Sequence, residues 1–146
     1  MEERRDFCEE ARALFLSIAA DAQLSGTFSN EAPVDVLFKL PRQKGLSLPI
    51  SLMLQNLDEL HFAGTDWQFC WFPFRDVDSD FREAVTGFLK GQYRVKEYWR
   101  GNRFRGGKLQ GPSDSGWQTL ASCQEGFSFP WPPSSPRYLV NKRSDH

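Results

Sequence analysis

Polarity along the chain opens on an apolar stripe. Phe7, Ala11, Leu14, Phe15, Ile18, Ala19 and Ala22 recur at helical spacing, which predicts an amphipathic helix over residues 3–25. Glu2 and Glu3 suit the positive end of its dipole, and Gly26 suits its stop. Val34 to Leu40 reads as a strand stopped by Pro41. Leu46, Leu48, Ile50, Leu52 and Leu54 then alternate with Ser47, Pro49, Ser51 and Met53. Period two argues for a strand, with Pro49 confining its first half to an edge or an entry segment. A helix beginning at Pro49 is the alternative for residues 46–54.

Two more strand candidates, Glu59 to Ala63 and Trp67 to Phe74, flank Gly64-Thr65-Asp66. A loop centred on Gly64-Thr65 puts Leu60, Phe62, Trp67, Phe69 and Trp71 on one face. It also places His61 beside Gln68 and diagonal to Cys70. The segment Asp76 to Asp80 opens a second helix that runs to Lys90, capped by Asp and Ser and ended by Gly91. Its apolar positions are Phe81, Ala84, Val85, Phe88 and Leu89.

Tyr93 to Lys108 has the alternation of a β-hairpin around Gly101-Asn102, a pair suited to a two-residue loop. Arg100 then faces Arg103, Trp99 faces Phe104, Tyr98 faces Arg105 and Val95 faces Lys108. Side chains alternate between faces, so Tyr93, Val95, Trp99 and Phe104 share one side with Glu97. Arg94, Lys96, Tyr98, Arg100, Arg103 and Arg105 share the other. Gly106-Gly107 is a place for a bulge that would shift the register beyond it. A further strand, Trp117 to Cys123, lies across the loop of residues 111–116. The tail over 127–146 is proline-rich and extended, with Phe127, Phe129 and Trp131 laid on the surface or offered as a polyproline ligand. Residues 141–146 are expected to fray.

Strands joined by short turns and segregated from the helices define an α+β class. The expected architecture is one domain over residues 1–146. It holds a meander-like antiparallel sheet of about six or seven strands, an N-terminal helix and a second helix near 78–90.

Composition sharpens this picture at two points. The chain holds 13 Phe, 5 Trp and 3 Tyr in 146 residues, so aromatic rings must fill the core, line a pocket or form an interface. The net charge is −1, yet residues 90–108 carry seven Lys/Arg against the single acid Glu97. That segment is therefore +6 and the remainder −7. Like charges opposite one another cost a few tenths to about 1 kcal/mol per pair, a cost that an anionic partner relieves.

Chemical motifs are sparse. Cys8, Cys70 and Cys123 are widely spaced, no CxxC occurs, and there are two His. That count argues against structural zinc, and no metal or cofactor is expected. His61, Cys70 and Glu59 are weighed as a nucleophilic constellation, which would need a depressed thiol pKa and solvent access. Asp76, Asp78 and Asp80 imitate a calcium loop, but Phe81 stands where glycine is required. GNRFRGGK has the wrong spacing for a phosphate-binding loop and precedes no helix. The opening MEERRDFCEE lacks the apolar run of an export signal, and no run of 18 apolar residues occurs. A cytoplasmic protein without a membrane span is expected.

The functional expectation is a small non-catalytic binding protein. Arg94, Lys96, Arg100, Arg103 and Arg105 supply charge and Tyr98 contact area for an acidic protein partner. Self-association through an aromatic face, giving a homodimer, is a further option. The alternative is a small-molecule or enzymatic pocket between the sheet and the 78–90 helix. Trp67, Phe69, Trp71, Trp99 and Phe104 would line it, with Glu97 or His61 as the polar group. Single-stranded nucleic acid on the basic face is a third option, against which the pI of 6.1 counts.

Overall fold

The computed structural model describes residues 6–124 and 135–142. Within them lie two helices, α1 (Cys8–Asp21) and α2 (Phe74–Leu89). The strands are β1 (Thr27–Ser29), β2 (Val36–Leu40), β3 (Ile50–Gln55), β4 (Glu59–Ala63), β5 (Gln68–Trp71), β6 (Arg94–Arg100), β7 (Arg103–Ser113), β8 (Gly116–Gln124) and β9 (Ser135–Leu139). The class is α+β with antiparallel pairing throughout, as the pattern predicts. The described strands number nine and form two sheets, five in the order β1-β2-β3-β4-β5 and four in the order β8-β7-β6-β9. The first sheet is a meander. The second is not, because β9 returns to pair with β6.

Local chemistry explains where the elements differ from expectation. Helix α1 stops at Asp21, before Gly26, because Gln23 takes the left-handed conformation (φ 58°). Its N–H reaches Ala20 O at 3.1 Å and that of Leu24 reaches Ala19 O at 2.9 Å. This pair of bonds satisfies the last carbonyls, and Leu24 is buried behind them. Residues 50–55 are strand, so the helical alternative is discarded, with Pro49 at the strand entry. Helix α2 starts at Phe74, ahead of the Asp76–Asp80 acids. Pro73 is its N-cap residue, and Phe74 is buried and stacked on Phe7 at 4.7 Å between centroids.

Both helices lie against the inner face of the first sheet. Phe15, Phe38, Phe62, Phe69, Phe81 and Phe88 are wholly buried there. Phe62 sits edge-on to Phe88 at 5.4 Å, and Trp71 edge-on to Phe81 at 5.4 Å. Each such ring contributes about 1.5–3 kcal/mol by leaving water. The ring of Tyr93 lies so close to α2 that a Cβ on Gly87 would stand 2.6 Å from it. Only glycine allows that approach.

The extended tail contributes β9 and then Asn141, which is 2% exposed. This corrects the expectation of fraying at that position. Its Nδ2 donates to Leu89 O at 2.7 Å and to Gly45 O at 2.9 Å, while its Oδ1 accepts from the Ser47 N–H at 2.8 Å. One amide thus ties the tail to the end of α2 and to the loop before β3. Phe127, Phe129, Trp131 and residues 143–146 lie outside the described residues. Among the described residues, no helix is long and apolar enough to cross a membrane.

Candidate functional site

The hairpin forms as its turn chemistry predicts. Arg100 pairs with Arg103 and Trp99 with Phe104 across Gly101-Asn102, with Gly101 at φ 61°. The register then shifts, because Arg105 is the extra residue of a bulge and Tyr98 pairs with Gly106 instead. Arg105 is 9% exposed, so its place opposite Tyr98 on an open face is corrected. The bulge also moves Lys108 across the strand. It now pairs with Lys96, and Leu109 takes the place opposite Val95.

The outer face of the second sheet therefore carries Arg94, Lys96, Tyr98 and Lys108, joined by residues from both flanking strands. Tyr138 of β9 pairs with Lys96, and Trp117 of β8 pairs with Pro112. The Arg94 guanidinium lies 4.1 Å from the Trp117 ring centroid and 4.2 Å from that of Tyr138. Its Nε donates to Gln110 Oε1 at 2.9 Å, which fixes the plane of the fork. The Lys96 ammonium is 5.3 Å from the Tyr98 ring and 5.8 Å from that of Tyr138, and Lys108 is 5.8 Å from Tyr98. Cations and rings alternate across four strands. Each contact at an open site contributes about 0.5–1 kcal/mol.

Trp117 and Tyr138 are 45% and 51% exposed, so these rings also meet solvent. No carboxylate of the described residues pairs with Arg94, Lys96 or Lys108. Beside Lys108 lies a cleft of about 400 Å³ lined by Tyr98, Arg105, Gly106, Ser122 and Gln124 among others. Gly106 has no side chain to fill the space opposite Tyr98, and a Cβ there would stand 2.8 Å from Cys123 O. The result is an open recess walled by a tyrosine, a lysine, the arginine Arg105 and neutral hydrogen-bonding groups.

The inner side of the hairpin holds the rest of the predicted set. Trp99 lies edge-on to Phe104 at 5.6 Å, donates its indole N–H to Glu97 Oε1 at 3.0 Å, and receives the Arg137 guanidinium on its face at 4.7 Å. Glu97 also stands opposite Arg137 in the register. This is a closed local network around the carboxylate.

Of the seven residues of the alternative pocket, Trp67 and Phe104 line one recess of about 240 Å³, and the other five do not line it. Trp67 and Phe69 are core residues at 2% and 0% exposure, packed on Phe62. Trp71 packs on Phe81 of α2. Glu97, Trp99 and Phe104 belong to the hairpin, and His61 stands on the outer face of the first sheet.

His61 pairs directly with Cys70, two residues away from the expected register, because the turn is four residues long. Gly64 N–H donates to Trp67 O at 3.0 Å, and the Trp67 indole folds onto Gly64. The faces survive, since the shift is even. Gln68 Nε2 donates to His61 Nδ1 at 2.9 Å, and His61 Nε2 donates to Glu59 Oε1 at 3.3 Å. Burial first, and then the Glu59 charge, raise the Cys70 thiol above its ordinary pKa. A metal-free thiol so placed is a poor nucleophile.

Trp117, Tyr138, Lys108 and Gln110 are the site residues that linear reading missed. The one local signal was the glycine doublet 106–107, which marks the bulge without giving its size. Comparison with protein-family models, curated proteins and solved structures finds no match to this chain.

Proposed function

We propose that the chain is a binding protein that docks an acidic protein surface on the outer face of its four-stranded sheet. The observation that carries this reading is the direct cross-strand pairing of Lys96 with Lys108, beside Arg94 and without a described carboxylate partner. A folded chain gains nothing internally from that pairing. A carboxylate-rich surface would neutralise it, with the Arg94 fork and the Tyr98 and Tyr138 hydroxyls as donors. The polarity of the molecule supports the same partner, since the acidic remainder repels misdirected contacts and favours one orientation.

A second reading, single-stranded nucleic acid, draws on the exposed rings of Trp117 and Tyr138 beside cations, a stacking platform for bases. Both are tested by fluorescence anisotropy of a labelled oligoglutamate peptide and a labelled oligothymidylate against the full chain at low salt. The expected result is saturable oligoglutamate binding, weakened at least about tenfold (about 1.4 kcal/mol) in Lys96→Glu/Lys108→Glu and unchanged in Lys44→Glu. Binding of oligothymidylate alone, with a steep salt dependence, would establish the second reading. Equal peptide binding by the double variant, or none by the wild type, would end the first.

A further inference from the structure

The outer face of the first sheet carries a different kind of chemistry. The Cys70 thiol, a His61 ring nitrogen and a Glu59 carboxylate oxygen all lie within 4.8 Å of one another. Glu59 and His61 alternate along β4, and Cys70 is the cross-strand partner of His61 on β5. Linear spacing cannot show this set, because it is made by strand pairing. We propose that Glu59, His61 and Cys70 form a binding site for a divalent first-row transition metal, matched best by Zn²⁺, with three protein ligands and one open position.

The donor types select the ion. One sulfur, one imidazole and one carboxylate suit a borderline-soft cation and not Mg²⁺ or Ca²⁺, which take oxygen sets. The geometry is close to what such an ion needs. Two ligand atoms each about 2.0 Å from a tetrahedral centre are about 3.3 Å apart, and His61 Nε2 lies 3.3 Å from Glu59 Oε1. The Cys70 sulfur lies within 4.8 Å of both atoms, and Glu59, with 27% of its side chain exposed, has freedom to follow.

The surrounding groups fit as well. A metal on Nε2 leaves the proton on Nδ1, which then needs an acceptor. Gln68 already touches Nδ1 at 2.9 Å, and turning its amide over presents oxygen in place of nitrogen. Two adjacent strands hold the ligands, a more rigid frame than a loop. His61 is 9% exposed while Cys70 is open to solvent, so the imidazole is held and the entry path is on the sulfur side. Binding proceeds by loss of the thiol proton to solvent as the Cys70 S–metal bond forms, with metal-bound water released. The apparent affinity therefore rises with pH.

The test is a Co²⁺ titration of the reduced full-length chain, followed by absorption. The expected result is a saturable one-to-one complex with a thiolate-to-cobalt charge-transfer band and the visible bands of a four-coordinate ion, both removed by Zn²⁺. Cys70→Ser should abolish the charge-transfer band and weaken Co²⁺ binding, while Cys8→Ser and Cys123→Ser keep both. Glu59→Gln should weaken binding about tenfold or more while circular dichroism stays native. No charge-transfer band with the wild type up to millimolar Co²⁺, or the same band in Cys70→Ser, would overturn the proposal.

Discussion

The two sheets are built by the same antiparallel pairing and use their faces in opposite ways. The five-stranded sheet has both helices on its inner side, where Phe38, Leu52, Leu54, Leu60, Phe62 and Phe69 are at most 1% exposed. Its outer side carries little charge: Leu37 and Met53 are buried there, and His61 is buried against the Glu59 carboxylate. The four-stranded sheet fully buries Val95 and Leu109 on its inner side, and its outer side is a mosaic of cations and rings. Stability is concentrated in the first sheet and unpaired charge in the second. The second sheet keeps a costly surface because its strands are anchored elsewhere, through backbone pairing, Tyr93 against α2 and the Asn141 amide.

Perturbations of each region should therefore differ in kind. Phe62→Ala, in the centre of the ring cluster, should cost about 3–5 kcal/mol, read by urea unfolding. A cost below about 1 kcal/mol would contradict a close-packed first sheet. Asn141→Ala removes one amide and leaves the Leu89 and Gly45 carbonyls short of a donor. A loss of about 1–3 kcal/mol is expected, with protection of β6 amides against hydrogen exchange falling before that of β3. Uniform loss across both sheets would show that the anchor is not local.

On the mosaic face, Arg94→Ala should cost about 1 kcal/mol, because two ring contacts are lost together. Arg94→Lys should restore only part of it, since an ammonium does not lie flat between two rings. Lys96→Gln should do the opposite, stabilising the fold by a few tenths of a kcal/mol through relief of repulsion while weakening oligoglutamate binding. A destabilised Lys96→Gln would mean that its ring contacts outweigh the repulsion and would blunt the comparison. The smallest effect concerns pH. Burial pushes the Cys8 thiol up from 9.0 to about 11. The native state then holds that proton longer than the unfolded chain, so its contribution is complete below pH 9 and fades as pH rises through 11. Cys8→Ser should flatten that alkaline slope in thermal melts.

Turn chemistry and hydrophobic period made much of this legible from residues alone. Gly101-Asn102 placed the hairpin loop and both flanking pairs, and alternation placed β2, β3, β4 and the face shared by Phe62 and Phe69. The failures have separate causes. The β4–β5 turn is two residues longer than alternation implies, because Trp67 folds back over Gly64. β9 falls in the proline-rich extended tail, whose composition marks no strand, yet it pairs at the sheet edge, where Pro136 is tolerated. Of the candidate site, Arg94, Lys96 and Tyr98 were found on β6. Trp117 and Tyr138 were not, because they arrive from strands whose partners no local pattern specifies. Glu59, His61 and Cys70 stand out in the sequence as a group, but the proposed ligand set depends on a cross-strand register.

The extra residue at Arg105 makes the hairpin sensitive to counting more than to chemistry. Everything after it on β7 owes its side to an odd number of residues between the turn and Gly106. Excising that single codon would turn Leu109 outward and Lys108 toward the core, inverting the strand while leaving composition almost untouched. Insertions and deletions in this segment should therefore be far more damaging than replacements at the same position.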